Sequence, residues 1–271
     1  MMYKFLMREG DFGQEVARMQ KVLGVDADGK FGPKTESALK AYQSSKGLSP
    51  DGVAGPHTLT MMGIPVTMGI DVSTWNGSVD WEKVASDGAK FAFVKLTEGR
   101  TYVSRRRDEI NKARAAGLAV GAYHFGRPDT DAGLHDAVAE AHHFLDVYDR
   151  QPGDMRPMLD MEKGMKTDDS YNVRWALKFC DIVEASIGVR PLIYTARFYT
   201  QAYFLGADKC LLERLGEEDL WWAEYSEQQH KDLDPWKEWL MWQWTGSGSI
   251  AGVDGKCDVN WVAGGRFGDL F

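Results

Sequence analysis

Eight short apolar runs, at residues 68–73, 90–97, 119–125, 156–162, 190–195, 220–225, 239–245 and 256–261, recur from Met68 to the end of the chain and leave it few folds to choose from. The first five gaps carry helical patterns, among them Arg105–Ala116, Asp136–Tyr148 and Asn172–Ile187 with Gly188 as a terminator. Strands alternating with helices predict a parallel sheet with helices outside it, and eight repeats close such a sheet into a barrel. The last two gaps, Ser226–Glu238 and Gly246–Gly255, are short, polar and broken by Pro235 or glycines, whereas a parallel crossover takes roughly a dozen or more residues and usually a helix. The expectation for this segment is therefore α/β: an incomplete TIM-like β/α barrel of eight strands and about five helices, its final strands joined by plain loops.

In such a barrel the C-terminal ends of the strands surround the mouth, and polar side chains there tend to be catalytic. Asp71 ends Gly69-Ile70-Asp71-Val72-Ser73, Asp160 and Glu162 end Pro157-Met158-Leu159-Asp160-Met161-Glu162, and Asp258 lies in Cys257-Asp258-Val259-Asn260. Side chains two apart on a strand share a face, so Asp160 and Glu162 are expected to enter one cavity together. Two carboxylates on one face of an apolar strand repel each other and lose solvation, so stability gives no reason to put them there unless both are bonded to Arg or Lys. The functional alternative is that repulsion and partial burial raise one pKa, leaving Glu162 a proton donor beside an ionised Asp160. Glycosidases need that division, an acid for the leaving oxygen and a negative group for the oxocarbenium-like transition state. Tyr123, Tyr194, Trp221, Trp222, Trp242 and Trp244 fall at or near strand ends, where flat rings can stack on sugars or fill the core. Alternation puts Trp242 and Trp244 on one face and Gln243 on the other, without saying which face is the lumen.

The segment before the barrel contains a repeat: Asp28-Gly29-Lys30-Phe31-Gly32-Pro33-Lys34-Thr35 returns as Asp51-Gly52-Val53-Ala54-Gly55-Pro56-His57-Thr58. Each copy reads as a turn followed by a helix whose first residue is proline, where the missing N–H costs nothing. With Val16, Met19, Gln20 and Leu23 on one periodic stretch and Ala38, Leu39, Tyr42 and Gln43 on the next, a small all-α three-helix bundle over residues 1–64 is expected, followed by the barrel over residues 65–271. By periodicity alone this bundle could equally be a structural cap or a dimerisation module. The fuller pattern, from Leu6, Gly10 and Gly13 through both Asp-Gly turns to Gly55 and Thr58, resembles the three-helix peptidoglycan-binding domain appended to many wall hydrolases. That resemblance implies carbohydrate or stem-peptide binding without naming contact residues.

Composition narrows the partners. The 271 residues carry 32 Lys and Arg against 40 Asp and Glu, a net charge of −8, which argues against nucleic acid as the partner. The excess acid lies in the barrel segment, because residues 1–66 hold 8 basic and 7 acidic side chains. Cys180, Cys210 and Cys257 show no C-x-x-C spacing and read as free, mostly buried thiols. No stretch approaches the ~20 apolar residues of a membrane span, and the apolar start is too short for a secretory signal. The chain is therefore expected to be made in the cytoplasm and not to insert into membranes, and it is expected to act as a monomer. No cofactor or metal is implied: His142-His143 diverge on a helix and no H-E-x-x-H is present. Arg105-Arg106-Arg107 runs straight into Asp108 and Glu109 and reads as a solvated helix start. His124 is open between a core residue and one beneath the active site.

A second resemblance rests on Gly69-Ile70-Asp71-Val72-Ser73, Phe93-Val94-Lys95-Leu96-Thr97-Glu98-Gly99, Gly121-Ala122-Tyr123-His124-Phe125, Leu159-Asp160-Met161-Glu162, Leu192-Ile193-Tyr194-Thr195 and Trp242-Gln243-Trp244. In order and spacing these resemble glycoside hydrolase family 25 lysozymes. The family implies an N-acetylmuramidase that cuts the β-1,4 bond between N-acetylmuramic acid and N-acetylglucosamine of peptidoglycan. By position the resemblance makes Glu162 the acid and Asp160 the second essential carboxylate, with Asp71 and Asp258 at the same mouth. Tyr123, Tyr194, Gln243, Trp244 and Trp222 are the expected substrate contacts. Whether Asp160 attacks the sugar or orients its acetamido group stays open. Two modules without a signal resemble bacteriophage endolysins, which act on the wall after release; a bacterial autolysin is the alternative. A chitinase-like hydrolase would need an acid at Met158, and a catalytically dead wall-binding protein would not need Asp160 and Glu162 intact.

Overall fold

The computed structural model describes residues 7–12, 14–64, 67–128, 133–164, 168–225, 233–262 and 266–271. Leu6, Gly13, Pro65 at the expected domain boundary, and part of the 226–238 connection lie outside the described residues. The chain divides into two compact units, one built mainly on residues up to Thr67 and the other on residues from Met68 onward.

The first unit contains three helices, α1 (Gln14–Leu23), α2 (Pro33–Ser45) and α3 (Pro56–Met61), around Met7, Val16, Met19, Phe31, Leu39, Ala54, Leu59, Met62 and Ile64. Pro33 and Pro56 open α2 and α3 behind extended Gly32 and Gly55. The sequence repeat is a repeat of hydrogen bonds. The Gln20 amide donates to Asp28 Oδ1 (2.9 Å), the Lys30 carbonyl (2.9 Å) and Thr35 Oγ1 (3.0 Å), while its oxygen accepts the Gly29 N–H (2.8 Å). Gln43 does the same to Asp51 (2.8 Å), Val53 (2.9 Å), Thr58 (3.4 Å) and Gly52 (3.0 Å). Both glutamines are buried, and a buried amide is tolerated because its donors and acceptor are all satisfied.

The second unit is the barrel. Its ring strands are β1 (Met68–Val72), β2 (Phe91–Glu98), β4 (Ala119–Phe125), β5 (Met158–Asp160), β6 (Leu192–Ala196), β7 (Leu220–Ala223), β8 (Met241–Gly248) and β9 (Cys257–Val262), and β1 pairs with both β9 and β2 to close the ring. The pairings from β1–β2 round to β7–β8 are parallel. A two-residue strand, β3 (Tyr102–Val103), which the pattern did not announce, pairs antiparallel to the end of β2. Helices α4 (Trp81–Ser86), α5 (Glu109–Ala115), α6 (His135–Val147) and α7 (Asp169–Ile187) fill the first four gaps; the fifth holds two, α8 (Arg197–Tyr203) and α9 (Lys209–Leu215). No helix occurs after β7 among the described residues, apart from a single turn at Phe267–Leu270. Closure leaves the ring without an exposed edge.

The lumen floor is aromatic. Phe93 lies 4.7 Å from Trp221, and Trp221 meets Tyr194 edge-on at 5.5 Å. Gly69 and Gly121 face Phe91 and Phe93 so closely that any Cβ would collide with those rings, so glycine on β1 and β4 makes room for them. On the outer face His124 is enclosed: its ring nitrogens meet Thr97 Oγ1 (2.8 Å) and Glu140 Oε2 on α6 (2.8 Å), and it stacks at 4.9 Å on Phe179 of α7. Burial pushes its pKa down to about 3, so it is a neutral core residue joining strand to helix, away from the lumen. Of the paired histidines, His142 is exposed and His143 bonds the Tyr102 carbonyl at 3.0 Å. The three cysteines are free, Cys180 and Cys257 buried and Cys210 exposed.

Candidate active site

Strand alternation and closure bring all four acidic residues to one lumen. Asp71 stands on β1, Asp160 closes β5, and Asp258 is the second residue of β9. Strand β5 is shorter than the expected 156–162, because regular pairing ends at Asp160. Glu162 lies just beyond the strand, where it is half-buried while Asp160 is buried.

Asp71 is the best-supported carboxylate. Its Oδ2 accepts from Asn260 Nδ2 (2.7 Å) and Gln243 Nε2 (3.0 Å). Gln243 is oriented in turn by the hydroxyls of Tyr194 (2.8 Å) and Tyr225 (3.1 Å), which donate to its Oε1, and Asn260 by the Trp221 indole N–H (3.0 Å). Burial raises Asp71 to about 6 against these stabilising bonds. Asp258 is raised to about 8, first by burial and then by the negative charge of Asp71, with which it shares a hydrogen bond. Near neutral pH the pair therefore holds one proton, carried mainly by Asp258, and Asp71 is the ionised member.

Asp160 and Glu162 form the second pair, and both are raised, mainly by burial. Repulsion from Glu162 adds to the effect on Asp160, which is lifted further; Asp160 Oδ1 is buried without a hydrogen-bond partner. Glu162 is eased by the Tyr194 hydroxyl and by Lys95 and Lys163. The expectation that Asp160 stays ionised while Glu162 is raised is thus altered in the free protein: depth of burial, which spacing does not reveal, favours the proton on Asp160. Tyr123 lies among all four carboxylates, and burial together with their charge keeps its hydroxyl protonated.

The expected substrate contacts separate. Tyr123, Tyr194 and Gln243 belong to the lumen network. Trp222 does not: it is completely buried, and its indole N–H donates to Glu224 Oε2 at 2.9 Å. Its neighbour Trp221 takes the lumen position instead, because successive residues of β7 face opposite ways. By the same alternation Gln243 faces the lumen and Trp244, half-buried, lies on the opposite face of β8.

A buried cation was not anticipated. Between Lys95 and Thr97 the register of β2 against β4 shifts by one residue. Such a bulge re-aims side chains: it lets Lys95 and Glu98, three apart, meet at 2.6 Å, with the ammonium 4.5 Å from the centre of the Phe125 ring. Glu98 also accepts from Arg127 Nε at 2.7 Å. Burial opposes its charge, but the ion pairs with Lys95 and Arg127 outweigh that and hold Glu98 below the ordinary range. The Lys-x-x-Glu spacing was visible in the sequence; the bulge that makes it a pair was not.

Clustered carboxylates kept partly protonated at the mouth of a β/α barrel are the equipment of a glycoside hydrolase, which needs an acid and a stabilising anion on either side of an acetal. The family comparison is specific: the chain belongs to glycosyl hydrolases family 25, whose model matches residues 70–253. A peptidoglycan binding domain model matches residues 12–62. The chain is 31% identical over 201 residues to protein YegX of Escherichia coli (strain K12), covering 71% of this chain and 68% of that one. Against Lysozyme M1 of Streptomyces globisporus it is 26% identical over 258 residues, 92% of this chain and 79% of that one. Among solved structures, the bacterial lysozyme from Streptomyces coelicolor matches with a TM-score of 0.64 and 26% identity, over 76% of this chain and 95% of that one.

Proposed function

We propose that the protein is an N-acetylmuramidase that hydrolyses the β-1,4 bond between N-acetylmuramic acid and N-acetylglucosamine in peptidoglycan. The observation that carries this reading is the lumen cluster of Asp71, Asp160, Glu162 and Asp258, and the lysozymes to which the chain is similar support it. Glu162, half-buried and next to Tyr194, protonates the departing glycosidic oxygen and then deprotonates the incoming water. Asp160 supplies the second carboxyl. Its unpartnered Oδ1 is an acceptor that the amide N–H of a substrate acetamido group would satisfy, which favours the orienting role over direct attack. As substrate enters, the proton that Asp160 holds in the free protein passes to Glu162, which leaves Asp160 ionised and Glu162 the acid. Asp71 and Asp258, with one proton between them, present a graded negative wall to the cationic transition state.

The first unit, matched by the wall-binding model, is the targeting module, and the protein works as a monomer. A phage lytic role, with release to the wall after synthesis in the host, completes the proposal. Purified cell walls provide the test: digestion should create new N-acetylmuramic acid reducing ends, seen by mass analysis, and new N-acetylglucosamine ends would overturn the bond assignment. Glu162→Gln should lose at least ~100-fold in turnover with the fold intact.

A further inference from the structure

Of the ten tryptophans, seven are buried, Trp239 and Trp244 are half-buried, and Trp75 alone is exposed, at 93%. It follows Asp71 by four residues, so the two Cα atoms lie within roughly 14 Å of each other. The loop that presents it is tied down at many points. Asn76 Oδ1 accepts the Ser73 N–H (2.8 Å), Asn76 Nδ2 donates to the Lys256 carbonyl (3.2 Å), and Ser73 Oγ accepts the Trp75 N–H (3.2 Å). Arg106 donates to the carbonyls of Asn76 (2.7 Å) and Gly77. Gly77 lies so close to the chain that a Cβ would come within 2.6 Å of the Asp254 carbonyl oxygen. A backbone held this firmly under a fully solvated indole gains nothing from the indole in the free protein.

The position has chemical meaning. The loop is anchored at Lys256, two residues before Asp258, and Thr74 Oγ1 lies 3.4 Å from the hydroxyl of Tyr102, itself 40% exposed on β3. Phe198, at the start of the helix after β6, and Tyr225, just past β7, are 61% and 66% exposed. The exposed aromatics of the barrel unit thus gather just beyond the C-terminal ends of its strands, Phe271 near the chain end excepted. Tyr225 reaches the acidic network through Gln243.

We propose that Trp75 is a sugar-binding platform: its indole stacks on a pyranose ring of the bound strand and extends the glycan cleft beyond β1. An indole face offers apolar area to the C–H face of a sugar, and its rigid mounting spares the entropy of ordering it on binding. The proposal rests on the glycan-cleaving reading above. The test uses the full chain and soluble strands of alternating N-acetylglucosamine and N-acetylmuramic acid. Trp75→Ala should raise KM ~10-fold with kcat within ~2-fold, the loss expected of a stacking contact worth about 1.5 kcal/mol. Trp75→Tyr, which keeps a flat ring, should recover most of the affinity. In a Glu162→Gln background, calorimetry should show the same ~10-fold weakening of strand binding. Strands cut by Trp75→Ala with an unchanged KM overturn the platform and leave the muramidase reading standing. Strands that neither version cuts or binds overturn both.

Discussion

Replacing Asp258 by Asn tests the account of the acidic lumen. Folding moves the Asp258 carboxyl from 3.8 to about 8 through burial and the charge of Asp71. A carboxyl whose folded pKa is raised binds its proton more tightly in the native state, so its contribution to stability is fully present below the unfolded value. That contribution is lost progressively as pH rises towards about 8. Each unit is worth about 1.4 kcal/mol, which sets an upper bound of about 6 kcal/mol over the whole interval. Part of that repulsion is already counted in the raised value of Asp71, and Asp258 is partly solvated, so a gap of about 2–3 kcal/mol is expected. Asn mimics the protonated form at every pH. Asp258→Asn should therefore match the wild type near pH ~4 and become more stable up to pH ~8, levelling off beyond. Nine of the ten tryptophans lie in the barrel unit and the tenth, Trp261, stands on ring strand β9, so urea unfolding followed by tryptophan fluorescence reports the barrel's transition. Groups that do not interact with Asp258 titrate alike in both proteins and cancel in the difference, which leaves Asp258 and the Asp71 coupled to it. A gap independent of pH, or a variant less stable at high pH, would refute the shared proton.

Asp160→Asn removes the carboxyl that holds the pair's proton in the free protein, so the alkaline limb of the kcat/KM profile, which follows loss of that last proton, should move to lower pH as the rate falls; an unmoved limb separates the two carboxyls. A chain starting near residue 65 should still cut soluble glycan while binding whole walls less well, and equal wall binding by both forms removes the targeting role of the first unit. Gln43→Ala should destabilise the first unit by about 2–3 kcal/mol, because Asp51, Thr58 and two backbone groups lose a buried partner. Amide exchange of α2 measures this, and Gln20→Ala should mirror it through the repeat.

Much of the architecture is legible in the chain because its signals are local. Short apolar runs, the Gly188 terminator and the paired Asp-Gly and Gly-Pro steps each act within a few residues, so they place the ring strands and the three N-terminal helices without tertiary information. Asp71, Asp160, Glu162 and Asp258 are legible for a related reason: a carboxylate at the end of an apolar strand has no local stabiliser and invites a functional reading. Closure of the ring decided the rest. It sent Gln243 and Trp221 to the lumen and Trp222 to the opposite face, a choice that alternation leaves two-fold until a partner sheet exists. It enclosed His124 between β4, α6 and α7, and the bulge in β2 joined Lys95 to Glu98. Above all it set burial: Asp160 sits deeper than Glu162, so the proton that spacing assigns to one is held mainly by the other in the free protein. The cost of desolvating a charge depends on every atom packed round it, and residues distant in sequence supply those atoms.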